Sequence, residues 1–173
     1  EFAKSTNLCK LVATQNKINM GRKQMPRLDG RVALITGGGG EIGSAIAMRM
    51  AQEGASVVLG DLQHEKAEET RDRVISAGGR AAAAHLDVAS PESCEASVAT
   101  AVSVFGKLTT LVNVAATATP DGTVETLTLE QWNTAFNVNL TSVFLMCKHG
   151  VPELRKAGGG SIINIASQLG HIG

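Results

Sequence analysis

A run of glycines near the start of the chain has the spacing of a phosphate-binding turn. Residues 36–43 read TGGGGEIG and contain Gly38-x-Gly40-x-x-Gly43, between a short apolar run and a segment of helical periodicity. Glycines allow a backbone to approach a pyrophosphate, and the first amides and the dipole of the following helix attract its charge. A tight strand–helix turn without a ligand is the alternative, since four consecutive glycines match many patterns by chance. The residues predicted to contact a dinucleotide here are Gly37, Gly39, Gly40, Glu41, Ile42 and Gly43.

An acidic residue closes the second apolar run of the chain. Asp61 ends the segment SVVLGD and is followed by Leu62. A carboxylate at this place can accept both ribose hydroxyls of an adenosine, and it repels a 2′-phosphate. No Arg or Lys occurs at 36–43 or 60–63. The sequence therefore favours NAD over NADP, with Asp61 and Leu62 as predicted contacts, although a solvated acid at a strand end is the alternative for Asp61.

A serine follows the last apolar run. Ser167 comes directly after SIINIA at 161–166. A serine at the carboxyl end of a buried strand in an open α/β sheet is well placed for chemistry. Taken alone, Ser167 is equally consistent with an ordinary loop serine.

The elements that must position these residues alternate along the chain. Apolar runs predict strands at 31–36, 56–61, 81–87, 109–114 and 161–166. The segment AAAAHLD at 81–87 favours helix by composition, and only the strand–helix rhythm indicates a strand there. Helices are predicted at 41–53, at 63–77, from Ser90-Pro91 onward, and from Thr128 to about Ala157 with a kink at Pro152. Continuous apolar strands that alternate with helices predict an α/β fold, with a parallel sheet covered on both faces.

The first helix has an apparent packing face. Ile42, Ala45, Ile46 and Met50 share one side of it at helical spacing. The sequence therefore predicts an amphipathic helix with these four residues on its apolar face, and Gly54 can cap its end.

Bulk properties exclude several classes of protein. The chain has 173 residues and a formal net charge of zero, from 16 basic and 16 acidic residues, so nothing favours binding to nucleic acid or to an anionic membrane. No apolar run is long enough to span a bilayer. Cys9, Cys94 and Cys147 are widely spaced, which predicts no disulfide framework and no metal site. A reducing compartment, the cytoplasm, is the expected location.

The first residues differ from the rest of the chain. Residues 1–26 are polar and basic, and Glu1 is their only acid. They are expected to be an N-terminal extension that is disordered or left by cloning, with Met20 or Met25 as a natural start; a mitochondrial transit peptide is the alternative. Residues 27–173 are predicted to form a single nucleotide-binding domain.

Six segments together resemble a known family. In order they are TGGGGEIG at 36–43, GD at 60–61, LDV at 86–88, LVNVAA at 111–116, NVNL at 137–140 and SIINIAS at 161–167. Their combination, over about residues 28–173, resembles the short-chain dehydrogenases/reductases. The resemblance implies a Rossmann-type doubly wound parallel sheet and hydride transfer between a nicotinamide cofactor and a small alcohol or carbonyl substrate. It also implies that the full-length protein is a homo-oligomer.

The resemblance assigns roles to further residues. Asn139 matches the catalytic asparagine of the long helix, which would fix a water in the proton path, and Ser167 matches the catalytic serine that holds the substrate oxygen. Asp87 and Val88 match adenine contacts, while Asn113 and Ala115 belong to the segment along the cofactor. Glu41 stands where the family usually has a second glycine, and its carboxylate would lie near the pyrophosphate unless it points outward from the helix start.

The catalytic tyrosine and lysine of the family have no counterpart. The family places Tyr-x-x-x-Lys on the helix after the fifth strand, and this chain contains no tyrosine. We therefore expect an N-terminal fragment of a longer enzyme, with a sheet that is incomplete at its C-terminal side and with little or no turnover by itself. A nucleotide-binding truncation product without chemistry is the alternative. An epimerase or dehydratase that returns the hydride is a further one, which SIINIAS and NVNL disfavour.

Overall fold

A five-stranded parallel sheet forms the centre of the molecule. The computed structural model describes residues 26–118 and 123–167. The strands are β1 (Val32–Thr36), β2 (Ser56–Asp61), β3 (Arg80–His85), β4 (Thr110–Asn113) and β5 (Ser161–Asn164). Their order in the sheet is β3-β2-β1-β4-β5, so the chain leaves β1 in one direction and crosses back to β4 on its other side. The predicted Rossmann-type α/β fold is confirmed, including the alanine-rich β3, where Ala81 pairs with Val57.

Helices cover both faces of this sheet. They are α1 (Glu41–Gln52), α2 (His64–Ser76), α3 (Pro91–Phe105), α4 (Leu129–Phe136) and α5 (Ser142–Lys156), with a π-helical turn at Asn137–Thr141. Alternate residues of β1 enter different cores: Ala33 and Ile35 pack with α1 and α2, whereas Val32 and Leu34 pack with α3 and α5. Because successive side chains of a strand point to opposite faces, the continuous apolar run in β1 supplies both cores.

The predicted apolar face of α1 is only partly buried: Ile46 and Met50 pack half-buried against the core, whereas Ile42 and Ala45 are exposed. The buried residues of this helix are Gly43, Ser44 and Ala47, whereas Ile42 is 58% exposed. A Cβ on Gly43 would overlap the carbonyl oxygen of Gly37. The helix therefore lies too close to the turn for large side chains, and its small residues form the contact.

The long helix predicted from Thr128 is interrupted. Thr128 caps α4 as predicted, since its Oγ1 accepts from the Gln131 N–H and the Gln131 side chain accepts from the Thr128 N–H. After Phe136 the backbone forms the π-helical turn and then continues as α5 through Pro152. A π-helical turn inserts an extra residue into a helix and occurs often at functional sites. The prediction of one regular helix over 128–157 is therefore wrong at 137–141.

The first described residues are fastened to the end of α1. The buried Glu53 accepts from Arg27 Nη2 at 3.1 Å and from Arg27 Nε at 3.2 Å, and it also pairs with Arg49. The Leu28 N–H donates to the Glu53 carbonyl at 2.8 Å. The expected N-terminal extension lies, except for Pro26, outside the described residues.

Strand β5 forms an edge of the sheet. All four of its residues are exposed, with Ile162 at 38% and Ile163 at 43%. Within the described residues it pairs only with β4, through Leu111–Ile162 and Val112–Ile163. This edge carries the apolar side chains that a central strand normally buries.

Candidate active site

The glycine turn joins β1 to α1 at the carboxyl edge of the sheet. Gly37 has φ +65° and leads the chain out of β1, and a Cβ there would lie 3.1 Å from the Ala115 backbone. Only glycine accepts this conformation readily, and the contact places Ala115 beside the turn. The predicted turn residues are therefore together, in contact with the segment that follows β4.

The N-terminus of α1 is open. Gly40 occupies the N-cap position and supplies no side-chain acceptor, and among the described residues no side chain is seen to accept from the first amides of the helix, those of Glu41, Ile42 and Gly43. Unsatisfied amides and the helix dipole make such a terminus a binding site for anions. Glu41 is the first residue of the helix and lies exposed, where the dipole stabilises its carboxylate. The arrangement fits a pyrophosphate, as the glycine spacing predicts.

Asp61 lies next to this turn at the end of β2. Its Oδ2 accepts from the Gly39 N–H at 2.9 Å, and its Oδ1 accepts from the Gln63 N–H at 2.9 Å. Leu62 is 64% exposed at the same edge. The turn and the acid are therefore in direct contact, although they come from different strands.

A basic residue also touches the turn. A Cβ on Gly39 would lie 2.5 Å from Lys66 Cβ, so α2 packs directly on the glycine backbone. Lys66 lies outside the sequence windows 36–43 and 60–63. It was therefore missed, because only the fold of α2 brings it close to the glycine turn.

Asp87 and Val88 follow β3 at the same edge. Val88 is buried, whereas Asp87 is half-buried and its Oδ1 accepts from the Ala89 N–H at 2.9 Å. The Asp87 N–H donates to Ser93 Oγ at 3.0 Å, which links this loop to the first turn of α3. The loop is thus ordered beside the edge where the resemblance places the adenine.

Side chains fasten β4 to both of its neighbours. Thr36 Oγ1 accepts from the N–H groups of Val114 and Ala115, each at 3.0 Å. Asn113 is 6% exposed, and its Nδ2 donates to Asn164 Oδ1 at 2.8 Å. The Oδ1 of Asn113 is buried and has no hydrogen-bond partner among the described residues. Thr36 and Asn164 were not predicted as site residues; the signal for Asn164 was a polar residue within the apolar run SIINIA.

Asn139 lies in the π-helical turn and binds the segment after β4. Its Oδ1 accepts from the Thr117 N–H at 2.9 Å, and its Nδ2 donates to the Thr117 carbonyl at 3.0 Å. The side chain therefore positions this loop, which is the structural alternative to a catalytic role. Ser167 lies three residues beyond β5 and is exposed. Ser167 thus follows a strand at the carboxyl edge of the sheet, and Asn139 contacts a loop at the same edge.

Other side chains show no sign of chemistry within the described ranges 26–118 and 123–167. No group of three or more His, Cys, Asp or Glu residues there is placed to hold a metal ion. Burial raises the pKa of the Cys94 thiol to about 11, so little of this thiol is ionised at neutral pH. No helix of the described part is long and apolar enough to cross a membrane.

Comparison with known proteins decides the family. The family model described as short chain dehydrogenase matches residues 31–173. The chain belongs to the short-chain dehydrogenase family. It is 48% identical over 144 residues to 2,5-dichloro-2,5-cyclohexadiene-1,4-diol dehydrogenase of Sphingobium indicum. This match covers 83% of the chain and 57% of the relative. It is 41% identical over 147 residues to cyclohexanol dehydrogenase of an Acinetobacter strain, covering 85% and 59%.

A solved structure confirms the fold of this family member. A 7α-hydroxysteroid dehydrogenase in complex with NADH and 7-oxo glycochenodeoxycholic acid superposes with a TM-score of 0.80 at 35% identity. The match covers 85% of this chain and 57% of that one. The chain thus spans somewhat more than half the length of the relatives it matches.

Proposed function

We propose that this chain is the cofactor-binding part of an NAD-dependent dehydrogenase that oxidises a secondary hydroxyl group or reduces the corresponding carbonyl. The observation that carries the proposal is the open N-terminus of α1 in direct contact, through the glycine turn, with Asp61. A pyrophosphate at the helix and a ribose at the carboxylate are neighbours in a dinucleotide. Family membership and the NADH complex of the related structure support this reading.

The residues of the chain divide the work of binding and orientation. When bound, the nicotinamide cofactor supplies hydride transfer. The amides of Glu41, Ile42 and Gly43 hold the pyrophosphate, and Asp61 accepts from the ribose hydroxyls. Asp87 and Val88 flank the adenine, while Asn113 and Ala115 line the path toward the nicotinamide.

The substrate side of the site rests on two residues. Ser167 donates its hydroxyl proton to the substrate oxygen and so orients it. Asn139 contributes by fixing Thr117 in the loop after β4; the water that the resemblance assigns to Asn139 stays a prediction. The proton itself needs a general acid or base, and the chain has no tyrosine to supply one.

The names of the relatives support a proposal for the substrate class. Two of them are named for alcohols on six-membered carbon rings, and the related structure is named for a hydroxysteroid. We infer that the full protein acts on a secondary alcohol, with ring alcohols as the first substrates to test, and that, as the family resemblance implies, it works as a homo-oligomer.

The preference for NAD has a direct test. We expect fluorescence titration of the 173-residue chain to give tighter binding of NADH than of NADPH, because the Asp61 carboxylate repels a 2′-phosphate. The variant Lys66→Ala controls for the basic residue on the turn. Tighter binding of NADPH, lost in Lys66→Ala, would contradict the preference and identify Lys66 as the partner of the phosphate.

Binding without turnover is the second candidate, and the absence of tyrosine favours it for the 173-residue chain. Loss of a general acid or base lowers a rate by about 10²–10⁴-fold. We therefore expect no measurable NAD⁺-linked oxidation of cyclohexanol by this chain. Oxidation that disappears in Ser167→Ala would show that the chain carries a complete site.

A further inference from the structure

Both carboxylate oxygens of Asp61 are engaged by backbone amides. Oδ2 accepts from Gly39 in the turn between β1 and α1, and Oδ1 accepts from Gln63 in the turn between β2 and α2, each at 2.9 Å. One side chain therefore joins the two turns that border the proposed cofactor site.

The contact with Gly39 is the only one that ties the middle of the glycine turn to a side chain among the described hydrogen bonds. The Gly38 N–H donates to the Gly60 carbonyl at 3.0 Å, and the Gly40 N–H donates to the Gly37 carbonyl at 3.1 Å. Between them, Gly39 lies against Lys66 of α2, which leaves no room for a Cβ. Within the described residues, the Asp61 carboxylate is the acceptor of this half-buried amide.

We propose that Asp61 is a positioning residue, which holds the glycine turn in the conformation that binds a pyrophosphate, in addition to its proposed role toward the ribose. The part that concerns nucleotide binding rests on the proposed function. Without the carboxylate, the Gly39 amide loses its acceptor and the turn populates other conformations. The affinity for a ligand falls in proportion to the fraction of molecules that remain competent to bind it.

This proposal and simple electrostatics predict opposite effects. Removing a negative charge beside a pyrophosphate strengthens the binding of that anion if the turn keeps its shape. Removing a support of the turn weakens the same binding. Inorganic pyrophosphate separates the two effects because it contains no ribose for Asp61 to recognise.

The experiment is a calorimetric titration of inorganic pyrophosphate into the 173-residue chain and its variants. We expect Asp61→Ala to bind about tenfold more weakly than the wild type, since a hydrogen bond to a charged group is lost. Asp61→Asn should recover part of the affinity because its amide oxygen can still accept from Gly39. Glu65→Gln, which removes one carboxylate from the exposed start of α2, should bind no more weakly than the wild type.

Hydrogen exchange of the Gly39 amide provides a second measurement that needs no ligand. We expect protection of this amide in the wild type and its loss in Asp61→Ala, with partial rescue in Asp61→Asn. Equal or tighter pyrophosphate binding by Asp61→Ala, with unchanged protection of Gly39, would overturn the proposal. A wild type that binds neither pyrophosphate nor NADH would instead contradict the proposed function, and the exchange of Gly39 would then decide the positioning role alone.

Discussion

A single hydroxyl oxygen connects two distant parts of the chain at the edge of the site. Thr36 is 2% exposed, and its Oγ1 accepts from both Val114 and Ala115. Backbone amides in such a place need an acceptor, because an unpaired buried donor costs about 1–3 kcal/mol. The Thr36 side chain thus fixes the position of the loop after β4 relative to the glycine turn.

Replacing this hydroxyl by a methyl group tests its contribution. Thr36→Val keeps the shape but removes the acceptor of two N–H groups, so we expect a loss of about 1–3 kcal/mol in the free energy of unfolding. Thr36→Ser, which keeps the oxygen, should lose less. Urea unfolding at low micromolar protein concentration measures both, and equal losses in the two variants would contradict the role of the oxygen.

Glu53 gives the molecule a defined response to acid. Its hydrogen bond with the Arg27 guanidinium, assisted by the charge of Arg49, holds the pKa of the Glu53 carboxyl below its ordinary value. A carboxyl whose pKa is lower in the folded state stabilises the protein above its unfolded pKa, and this stability is lost as the pH falls through the lowered value. We expect Glu53→Gln to be less stable than the wild type at neutral pH and to approach it in acid.

The measurement is the difference between the unfolding midpoints of Glu53→Gln and the wild type, which should shrink as the pH is lowered from about pH 7 to pH 3. Glu69→Gln, a change of the same type on the exposed side of α2, serves as the matched control. A difference between Glu53→Gln and wild type that stays constant over the whole range would show that the ionised pair is not its cause.

At the scale of elements, the approach of α1 to the sheet decides what the helix can carry. The helix reaches the turn with Gly43 against the Gly37 carbonyl, and Ser44 and Ala47 continue the contact. The apolar side chains on its other sides are left partly or largely exposed, as with Ile42. The close contact between α1 and the glycine turn therefore leaves large side chains of the helix less buried. It also places the open N-terminus of α1 at the carboxyl edge of the sheet, where we propose that the cofactor binds.

A methyl group at this contact should push the helix away. We expect Gly43→Ala to lower the free energy of unfolding by about 1–3 kcal/mol, the usual cost of overpacking. NADH binding should weaken in parallel, since the amides at the helix start move with it. Ala45→Ser, on the exposed side of the same helix, is the control; a Gly43→Ala variant as stable as this control would show that the helix can shift at no cost.

At the scale of the whole described chain, β5 is an exposed edge of the sheet and a template for strand pairing. It presents Ile162 and Ile163, with Ile165 just beyond it at 47% exposure. An exposed apolar edge without charge or proline is a site for pairing with another chain. We expect the 173-residue chain to associate through β5 as its concentration rises.

Light scattering after gel filtration measures this association. Ile163→Lys should reduce it because a charge on an edge strand opposes pairing. Ile75→Lys makes the same substitution at an exposed position of α2 and should leave the association unchanged. A stable monomer of the wild-type chain at all concentrations would contradict the prediction.

The sequence predicted the elements better than their contacts. Apolar runs, the capping box at Thr128 and the strand–helix rhythm were sufficient for five strands and the sheet. The close contact of Gly43, Ser44 and Ala47 in α1 was missed because periodicity reports hydrophobicity and not the distance between backbones. The π-helical turn and the pair Asn113–Asn164 depend on contacts between residues far apart in sequence, which no local pattern contains.

The strand order also sets an order of events when the chain folds. β1 pairs with β2 across a single intervening helix, whereas Thr36 reaches Val114 over a separation of 78 residues. Closing the longer loop costs more chain entropy, so the pairing of β1 with β2 should form before the contact of Thr36 with Val114. Thr36→Val should then speed unfolding while leaving the refolding rate nearly unchanged. Stopped-flow measurements test this. If the whole loss of stability is instead found in a slower refolding rate, β4 belongs to the folding nucleus.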